Sequence, residues 1–401
     1  MASYDIAIAG GGPAGLSAAY AAAQAGAKVI LLEKDESIAH SIRTSGVTWI
    51  DEIEKFGIGS DHYNPIRNYS FLSKSNQVTI RGVSPKACVL NVRTAFQHLA
   101  MKAAEAGSEI MVRSRVIDVI RSSSDGRIAG LKVKTPKGEL EISCKVVIDA
   151  TGFISYVARR LGIVREWKSY GVGAEYECYC ENLDLESWVL LVGTEYSDGG
   201  YAWVFPVSKN RARIGVGVAK PYCSITNPLQ KLNYILDKRL RPLDEMGKIQ
   251  PIELHYGYVP NDGPRTSITY DGLLLVGDSA GQVNPLVLEG IRFAMEYGRL
   301  AGKIAANCLQ LNSNKDGLRE YDRAWKEKNN SKMLSGLKVQ RRWLRLSDNE
   351  WDREIEILKG MSVEEFLDFI KAEFGLVNVM KYAINHPSIA VRQLFGLITR
   401  Q

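Results

Sequence analysis

Gly10, Gly12 and Gly15, with Gly11, Pro13 and Ala14 between them and Glu33 downstream, are residue types at a spacing that can hold a dinucleotide. Gly10 permits a tight turn, Gly12 lets a pyrophosphate approach the backbone, and Gly15 lets a helix lie close on a strand. The helix opening at Pro13 turns unpaired N–H groups and a positive partial charge toward the phosphates. Glu33 can accept a hydrogen bond from a ribose hydroxyl. The five histidines, His40, His62, His98, His255 and His386, fall in no catalytic constellation and read as structural or exposed. There is no Ser-His-Asp order and no metal-ligand spacing. The six cysteines include no C-x-x-C pair, which argues against a zinc site or a disulfide framework.

Such a loop needs a strand before it and a helix after it. Residues 4–9 read as a short buried strand, 13–25 as an alanine-rich helix, and 28–32 as a second apolar run that delivers Glu33. A helix closed by Gly107 is expected over 91–107, followed by strands at 109–112 and 116–121. Next come a turn at 124–126, a hairpin over 128–143 turning at 136–138, and a separate buried strand at 145–149. From about 169 to 219 apolar residues alternate, with aromatics and glycines between, the pattern of an antiparallel sheet covered on one face. The chain then returns to the first unit with a strand at 272–276, ending in Gly277-Asp278, and a helix from about 289 to 309. From 318 onward it is rich in charge and helix formers.

The whole composition fits this plan. With 401 residues, 45% hydrophobic and 24% charged, the chain can bury the cores of two domains. The net charge of +6 is spread along the chain rather than gathered in a block, which does not argue for nucleic acid. The N-terminus has neither the basic region nor the apolar run of a signal peptide, and no segment offers a long uncharged apolar span. A cytoplasmic location is expected.

Two later segments each run a strand into a small glycine-ended loop: Val146-Val147-Ile148-Asp149-Ala150-Thr151-Gly152 and Leu273-Leu274-Leu275-Val276-Gly277-Asp278-Ser279-Ala280-Gly281. With the first loop, they resemble the FAD motifs of the para-hydroxybenzoate hydroxylase superfamily. The resemblance implies FAD as cofactor, Asp278 at its ribityl or ribose region, and a loop over 285–291, with Gly290 and Ile291, facing the flavin ring. It also implies Arg93, in Asn91-Val92-Arg93-Thr94-Ala95-Phe96, near the cofactor. Lys34, Thr44, Ser45, Gly46, Val116, Thr151, Gly152 and Gly277 complete the implied cofactor-binding set. Gly171-Val172-Gly173 and Gly215-Val216-Gly217 lack the third glycine of a second fingerprint. The electron donor is therefore expected to be NAD(P)H bound without a domain of its own, or a reduced electron-transfer protein.

In Gly200-Tyr201-Ala202-Trp203-Val204-Phe205-Pro206, alternate strand residues point to one face, so Tyr201, Trp203 and Phe205 form an aromatic wall. This Y-x-W-x-F-P run, followed by Gly215-Val216-Gly217, resembles the substrate domain of the geranylgeranyl reductase family, and the likeness extends over roughly the first 310 residues. It implies that Tyr201, Trp203, Phe205 and Pro206 bind an apolar isoprenoid chain, on a lipid or quinone, whose double bonds are reduced. The fold class expected is α/β: a Rossmann-type FAD-binding domain (1–65, 91–165 and 265–315), an inserted antiparallel-sheet substrate domain (66–90 and 166–264), and a C-terminal helical region (316–401). Two other functions fit parts of the pattern. One is a flavin-dependent monooxygenase or halogenase on the same fold; the other is an electron-transfer flavoprotein adaptor, against which the lack of a cysteine cluster for an iron-sulfur centre speaks.

The chain departs from the family at two places. Archaeal members commonly carry a cysteine then a glycine after the second strand, where this chain has Thr44 or Ser45 before Gly46; a hydroxyl cannot serve as a thiolate at neutral pH. In the loop after Pro285, Leu286-Val287-Leu288-Glu289 replaces a glycine-rich turn and is expected to add bulk near the flavin. These changes suggest a branch with an altered substrate or altered flavin access. Two basic, partly apolar stretches, at 337–345 and 380–400, are candidates for contact with a membrane surface. The competing reading is a solvated helix face packed on the domain, favoured by Asp348, Glu350, Asp352, Glu354 and Glu356 immediately after the first stretch.

Overall fold

In the computed structural model, residues 2–123, 126–224, 227–311 and 315–373 are described. Part of the expected turn at 124–126, His386 and the basic stretch at 380–400 lie outside them. The fold is mixed α/β. Its first sheet runs in the order Thr269–Tyr270, Leu273–Leu275, Gly138–Asp149, Ala2–Ala9, Val29–Leu32, Glu109–Met111. The central strands are parallel, and Ile6, Ala7, Ile8, Val147 and Ile148 have no exposed surface. Strands covered on both faces read as unbroken apolar runs, which is why these were visible in the sequence.

The hairpin and the buried strand expected at 128–143 and 145–149 share one continuous strand, Gly138–Asp149. Its first half pairs antiparallel with Ile128–Thr135 and is half exposed, while from Ile142 onward it pairs in parallel with Ala2–Ala9. The change of environment along one strand switches the hydrophobic pattern from alternating to continuous, and that switch mimics a break.

The helix Pro13–Gln24 packs on the helix Ile291–Gln310 through small residues. A Cβ placed on Gly298 or Gly302 would lie 2.2 Å from the carbonyl oxygen of Ala14 or Ala18, so the two backbones touch. That contact fixes the helix that follows the glycine loop.

The second sheet runs Ile249–Pro260, Tyr170–Cys180, Arg211–Lys220, Gly200–Ser208, Ser187–Leu191, Asn68–Leu72, Gln77–Arg81. All its pairings are antiparallel except that of Ser187–Leu191 with Asn68–Leu72. A small third sheet joins Val47–Trp49, Ala87–Leu90 and Tyr63–Ile66. Among the described residues the tail forms three helices, Lys315–Trp343, Asp348–Lys359 and Val363–Ile370. The last two start in capping boxes, Ser347 with Glu350 and Ser362 with Glu365, each satisfying N–H groups that the first helical turn leaves open.

The stretch at 337–345 is not a free amphipathic surface. Leu337 and Trp343 are buried, and the acidic residues that follow dock the helix Asp348–Lys359 onto the second sheet. Asp348 accepts from Thr194 N and Oγ1 at 2.8 and 2.7 Å, Asp352 accepts from Ser73, and Glu356 accepts from Asn76 Nδ2 at 2.7 Å. Among the described residues no helix is long and apolar enough to cross a membrane.

Candidate active site

The glycine loop is a cradle made by excluding side chains. Gly10 has φ +108°, and a Cβ on it would stand 2.3 Å from the Ala150 carbonyl oxygen; one on Gly15 would stand 2.0 Å from the Gly10 oxygen. Each position forces glycine, the first by conformation and contact together, the second by contact alone. At Gly12 nothing lies within 4 Å of the Cβ position, which leaves open space for a phosphate group before the uncapped start of Pro13–Gln24. Glu33 is held by Gly11 N at 2.7 Å and Asp35 N at 2.8 Å. Ser114 N donates to the Glu33 carbonyl at 2.7 Å and so brings Val116 alongside.

The other two motif loops are tied together by Asp149. Its fully buried carboxylate accepts from Thr151 N (3.1 Å) and Oγ1 (2.6 Å), Ala158 N (2.9 Å) and Ser279 Oγ (3.4 Å). Burial pushes this carboxyl up from its ordinary value, and the hydrogen bonds oppose that shift. Asp278 contrasts with it: among the described residues no hydrogen bond to its side chain is found, it lines the cavity, and burial pushes its carboxyl up to about 7. An acceptor left open beside a glycine cradle is what a ligand rich in hydroxyl groups requires. The residues present therefore fit a bound FAD.

One cavity of about 660 Å³ joins this cradle to the second sheet. Of the expected cofactor residues, Gly10, Gly12, Pro13, Ala14, Glu33, Lys34, Thr44, Ser45, Val116, Thr151, Gly152, Gly277, Asp278, Gly290 and Ile291 line it. Gly15, Gly46 and Arg93 do not. Gly15 works one layer back by letting the helix close on the strand. Gly46, at φ +80°, sits under the Arg213 guanidinium and accepts from Leu90 N at 2.9 Å. Arg93 is turned outward to Glu253 Oε1 at 3.2 Å and to the carbonyls of Ala39 and His40.

Tyr201, Trp203 and Phe205 share the cavity face as the alternation requires; Trp203 stands 5.8 Å from Tyr201 and 6.0 Å from Phe205, ring to ring. Pro206 does not line the cavity, and its carbonyl accepts from Asn64 Nδ2 at 3.2 Å. The glycine pairs that looked like incomplete fingerprints form a floor for bulky side chains. A Cβ on Gly215 would fall 2.3 Å from Trp203 Cζ2, and those on Gly217 and Gly173 would meet the same indole at 3.2 and 3.4 Å. A Cβ on Gly171 would lie 2.4 Å from Leu288 Cδ1, so the bulk of Leu288 is received by the sheet. Leu288 holds φ +54°, a conformation costly for a branched residue. Tyr201 Oη donates to the Val287 carbonyl at 2.6 Å and ties the aromatic wall to this loop.

Three features of the site were not read from the sequence. The tail roofs the apolar chamber with Trp343, Leu344, Trp351 and Ile370. Asn284 Nδ2 donates to the Ile370 carbonyl, and Arg292 to that of Lys371, both at 2.7 Å, so the flavin-side loop is stapled to the roof. The capping boxes were the available sign that these helices are definite elements. The third is a buried polar cluster behind Trp203. Trp203 Nε1 donates to Glu175 Oε2 at 3.0 Å, and His255 Nδ1 meets Glu175 Oε1 at 3.0 Å. Arg213 lies 3.8 Å from Glu175 and 3.4 Å from Glu177, and its Nη1 donates to Ser45 O at 2.7 Å. Burial raises the Glu177 carboxyl, but the hydrogen bond from Arg211 and the charge of Arg213 outweigh it and hold the group below its ordinary value. His255 and Glu175 line the cavity.

Cysteine chemistry has no place here. None of the six cysteines lines the cavity, and burial pushes the thiols of Cys88, Cys144, Cys178 and Cys180 up, away from thiolate. Among the described residues no group of His, Cys, Asp and Glu could hold a metal ion.

Comparison with known proteins agrees with this geometry. Residues 5–163 match the family model for FAD dependent oxidoreductase, and residues 170–259 that for the geranylgeranyl reductase catalytic domain. Digeranylgeranylglycerophospholipid reductase of Methanocaldococcus jannaschii is 33% identical over 376 residues, covering 91% of this chain and 94% of the relative. Digeranylgeranylglycerophospholipid reductase 2 of Methanothermobacter thermautotrophicus is 29% identical over 400 residues, with 96% and 97% covered. Among solved structures, a geranylgeranyl bacteriochlorophyll reductase-like protein from Thermoplasma acidophilum superposes with a TM-score of 0.86 at 24% identity, over 99% of this chain and 100% of that one.

Proposed function

The chain belongs to the geranylgeranyl reductase family of FAD-dependent oxidoreductases, and from that premise we propose that it reduces carbon–carbon double bonds in the isoprenoid chains of an archaeal-type glycerophospholipid. The observation that supports this substrate is the continuity of the cavity: the cradle that fits FAD opens directly into a chamber walled by Tyr201, Trp203 and Phe205 and roofed by Trp343 and Trp351. An isoprenoid offers little but apolar surface, and aromatic side chains bury it without leaving a polar group unpaired.

When bound and reduced, FAD supplies a hydride. The protein's part is to place the double bond and to keep water out. Gly12, the start of Pro13–Gln24 and Asp278 hold the cofactor. Trp203, flattened on its glycine floor and anchored by Glu175, presents a rigid face to the chain, and Tyr201 keeps the loop over 285–291 in register with that face. The electron donor is a nicotinamide nucleotide or a reduced electron-transfer protein.

The test is incubation of the FAD-loaded, chemically reduced protein with digeranylgeranyl glycerophospholipid, read by mass spectrometry of the lipid. Chains gaining hydrogen in pairs are expected; unchanged lipid, or lipid gaining oxygen, contradicts the reading. A lipid substrate also requires the protein to meet a membrane surface. Ile252, Tyr256 and Tyr258, at 62%, 41% and 52% exposure on the edge strand beside the cavity, offer the apolar contact. Flotation with anionic liposomes should fail, or weaken severalfold, once the two tyrosines are changed to serine; equal flotation excludes this face.

A further inference from the structure

Adding hydrogen across a carbon–carbon double bond breaks the π bond and forms two C–H bonds. One hydrogen arrives as a hydride with both electrons, leaving the flavin oxidised; the other arrives as a proton and needs an acid. Cysteine does not provide it, since none lines the cavity, and Thr44 and Ser45 are hydroxyls. Tyr201 is spent on the Val287 carbonyl, and burial makes its phenol hold its proton more tightly. Glu289 is paired with Arg292 at 3.0 Å, and Asp278 stands at the cradle. Of the other titratable groups lining the cavity, Lys34, His40 and Tyr256 are exposed, Asp35 is paired with Lys34, and Tyr156 donates to the Ile117 carbonyl, which leaves the buried Glu175 and His255.

We propose that the Glu175–His255 pair supplies the substrate proton and is recharged from solvent through Glu253. This rests on the reading of the protein as a double-bond reductase. The pair lines the cavity at the Nε1 edge of Trp203, the residue on which the chain would rest. The carboxylate of Glu175 can only accept, so the neutral imidazole carries its proton on Nδ1, between the two residues. The other ring nitrogen, Nε2, is buried, makes no hydrogen bond, and stands 3.5 Å from Glu253 Oε2; Glu253 is 40% exposed. Only the doubly protonated ring can donate to both carboxylates, so a proton taken up at Nε2 from Glu253 releases the one at Nδ1 to Glu175 and onward to the carbon.

The surrounding charges leave this ring as the group able to change. Arg213 faces Glu175, Arg211 faces Glu177, and Arg93 faces Glu253, so three guanidiniums offset three carboxylates. His255 adds charge to a balanced cluster when it takes a proton and restores the balance when it gives one up. Glu175 is also in a position to hold Trp203 in place, and the test separates the two roles.

The first measurement is ring-nitrogen NMR of FAD-loaded protein labelled in histidine, with His255→Gln to assign the signal. The neutral His255 ring is expected to carry its proton on Nδ1, facing Glu175, and to lose that preference in Glu175→Gln. A ring that carries its proton on Nε2 alone overturns the proposal whatever the substrate.

The second is anaerobic single turnover with digeranylgeranyl glycerophospholipid. His255→Gln and Glu175→Gln should each slow flavin reoxidation about a hundredfold or more, at unchanged FAD content, and lose the fall in rate with rising pH that an acid-catalysed step shows. Glu175→Gln keeps an acceptor for Trp203, so a full rate there assigns Glu175 to positioning alone and overturns the proposal. Glu253→Gln, a surface change that leaves the core intact, should spare this single turnover and slow repeated turnover under excess chemical reductant severalfold; unchanged repeated turnover overturns the path to solvent. A wild type that leaves the lipid untouched counts against the lipid reading, and the NMR measurement then decides on the pair by itself.

Discussion

In the cofactor cradle, position is set by backbone: Gly10, Gly12 and Gly15 act through the absence of a side chain, and Asp149 braces two loops by gathering their N–H and hydroxyl groups. In the substrate chamber, position is set by large side chains drawn from remote parts of the chain, with Trp203 from one sheet and Trp343 and Trp351 from the tail. On the proposed reading the cradle takes a polar, invariant cofactor and tolerates almost no change, while the chamber takes a flexible apolar chain and needs volume more than geometry. Changes in the two regions should therefore separate cleanly in what they remove.

The largest effect is expected in the cradle. Gly15→Ala sets a Cβ 2.0 Å from the Gly10 oxygen, a clash between backbone elements that cannot rotate away. The purified protein should lack FAD, and overpacking should cost about 1–3 kcal/mol of stability, measured by flavin content and denaturant unfolding. FAD retained at full occupancy would break the comparison.

Next comes the wall. Gly215→Val displaces the Trp203 indole from its floor and strands Glu175 without its indole donor. FAD binding should persist while lipid turnover falls by at least about tenfold, the equivalent of one buried hydrogen bond. The roof should respond more mildly. Trp343→Ala leaves a cavity worth about 3–5 kcal/mol in a fully packed core, less here because the site already borders open space. The expected sign is a raised KM for the lipid, with flavin content and kcat nearly unchanged.

The smallest effect belongs to Asp278. Its carboxyl titrates near 7 in the folded protein against 3.8 ordinarily, so the folded state binds more protons between those values. The contribution of Asp278 to apoprotein stability is full below about pH 4, falls as pH rises toward about 7, and levels off above it. Asp278→Asn should remove that part of the pH dependence and weaken FAD binding. Melting curves of both apoproteins at several pH values check the sign; a wild type that gains stability relative to Asp278→Asn over the same interval contradicts it.

The same contrast explains what could be read in advance. Gly10, Gly12 and Gly15 are legible because a phosphate-binding turn is local: strand, loop and helix are consecutive, and each glycine has one reason to be there; Asp278 comes from the family resemblance. Tyr201, Trp203 and Phe205 were legible because a strand alternates. His255 was not, since Glu175 lies 80 residues before it and only register brings them opposite one another. Nothing around His255 in the sequence distinguishes it from the other histidines. Trp343 sits in a basic, partly apolar stretch, and the acidic residues after it read as a solvated face, whereas Asp348, Asp352 and Glu356 are docking contacts. Arg93 and Pro206 carry motif positions, yet here one faces Glu253 and the other lies off the cavity.

The central claim is that cradle and chamber form one reaction space in which reduced flavin passes hydrogen to a double bond. Its most direct test is the flavin spectrum of the reduced protein, held strictly free of oxygen, on adding digeranylgeranyl glycerophospholipid and, separately, its fully saturated counterpart. Reoxidation by the unsaturated lipid alone is predicted. Flavin that stays reduced with both lipids and reoxidises only when oxygen is admitted would contradict it.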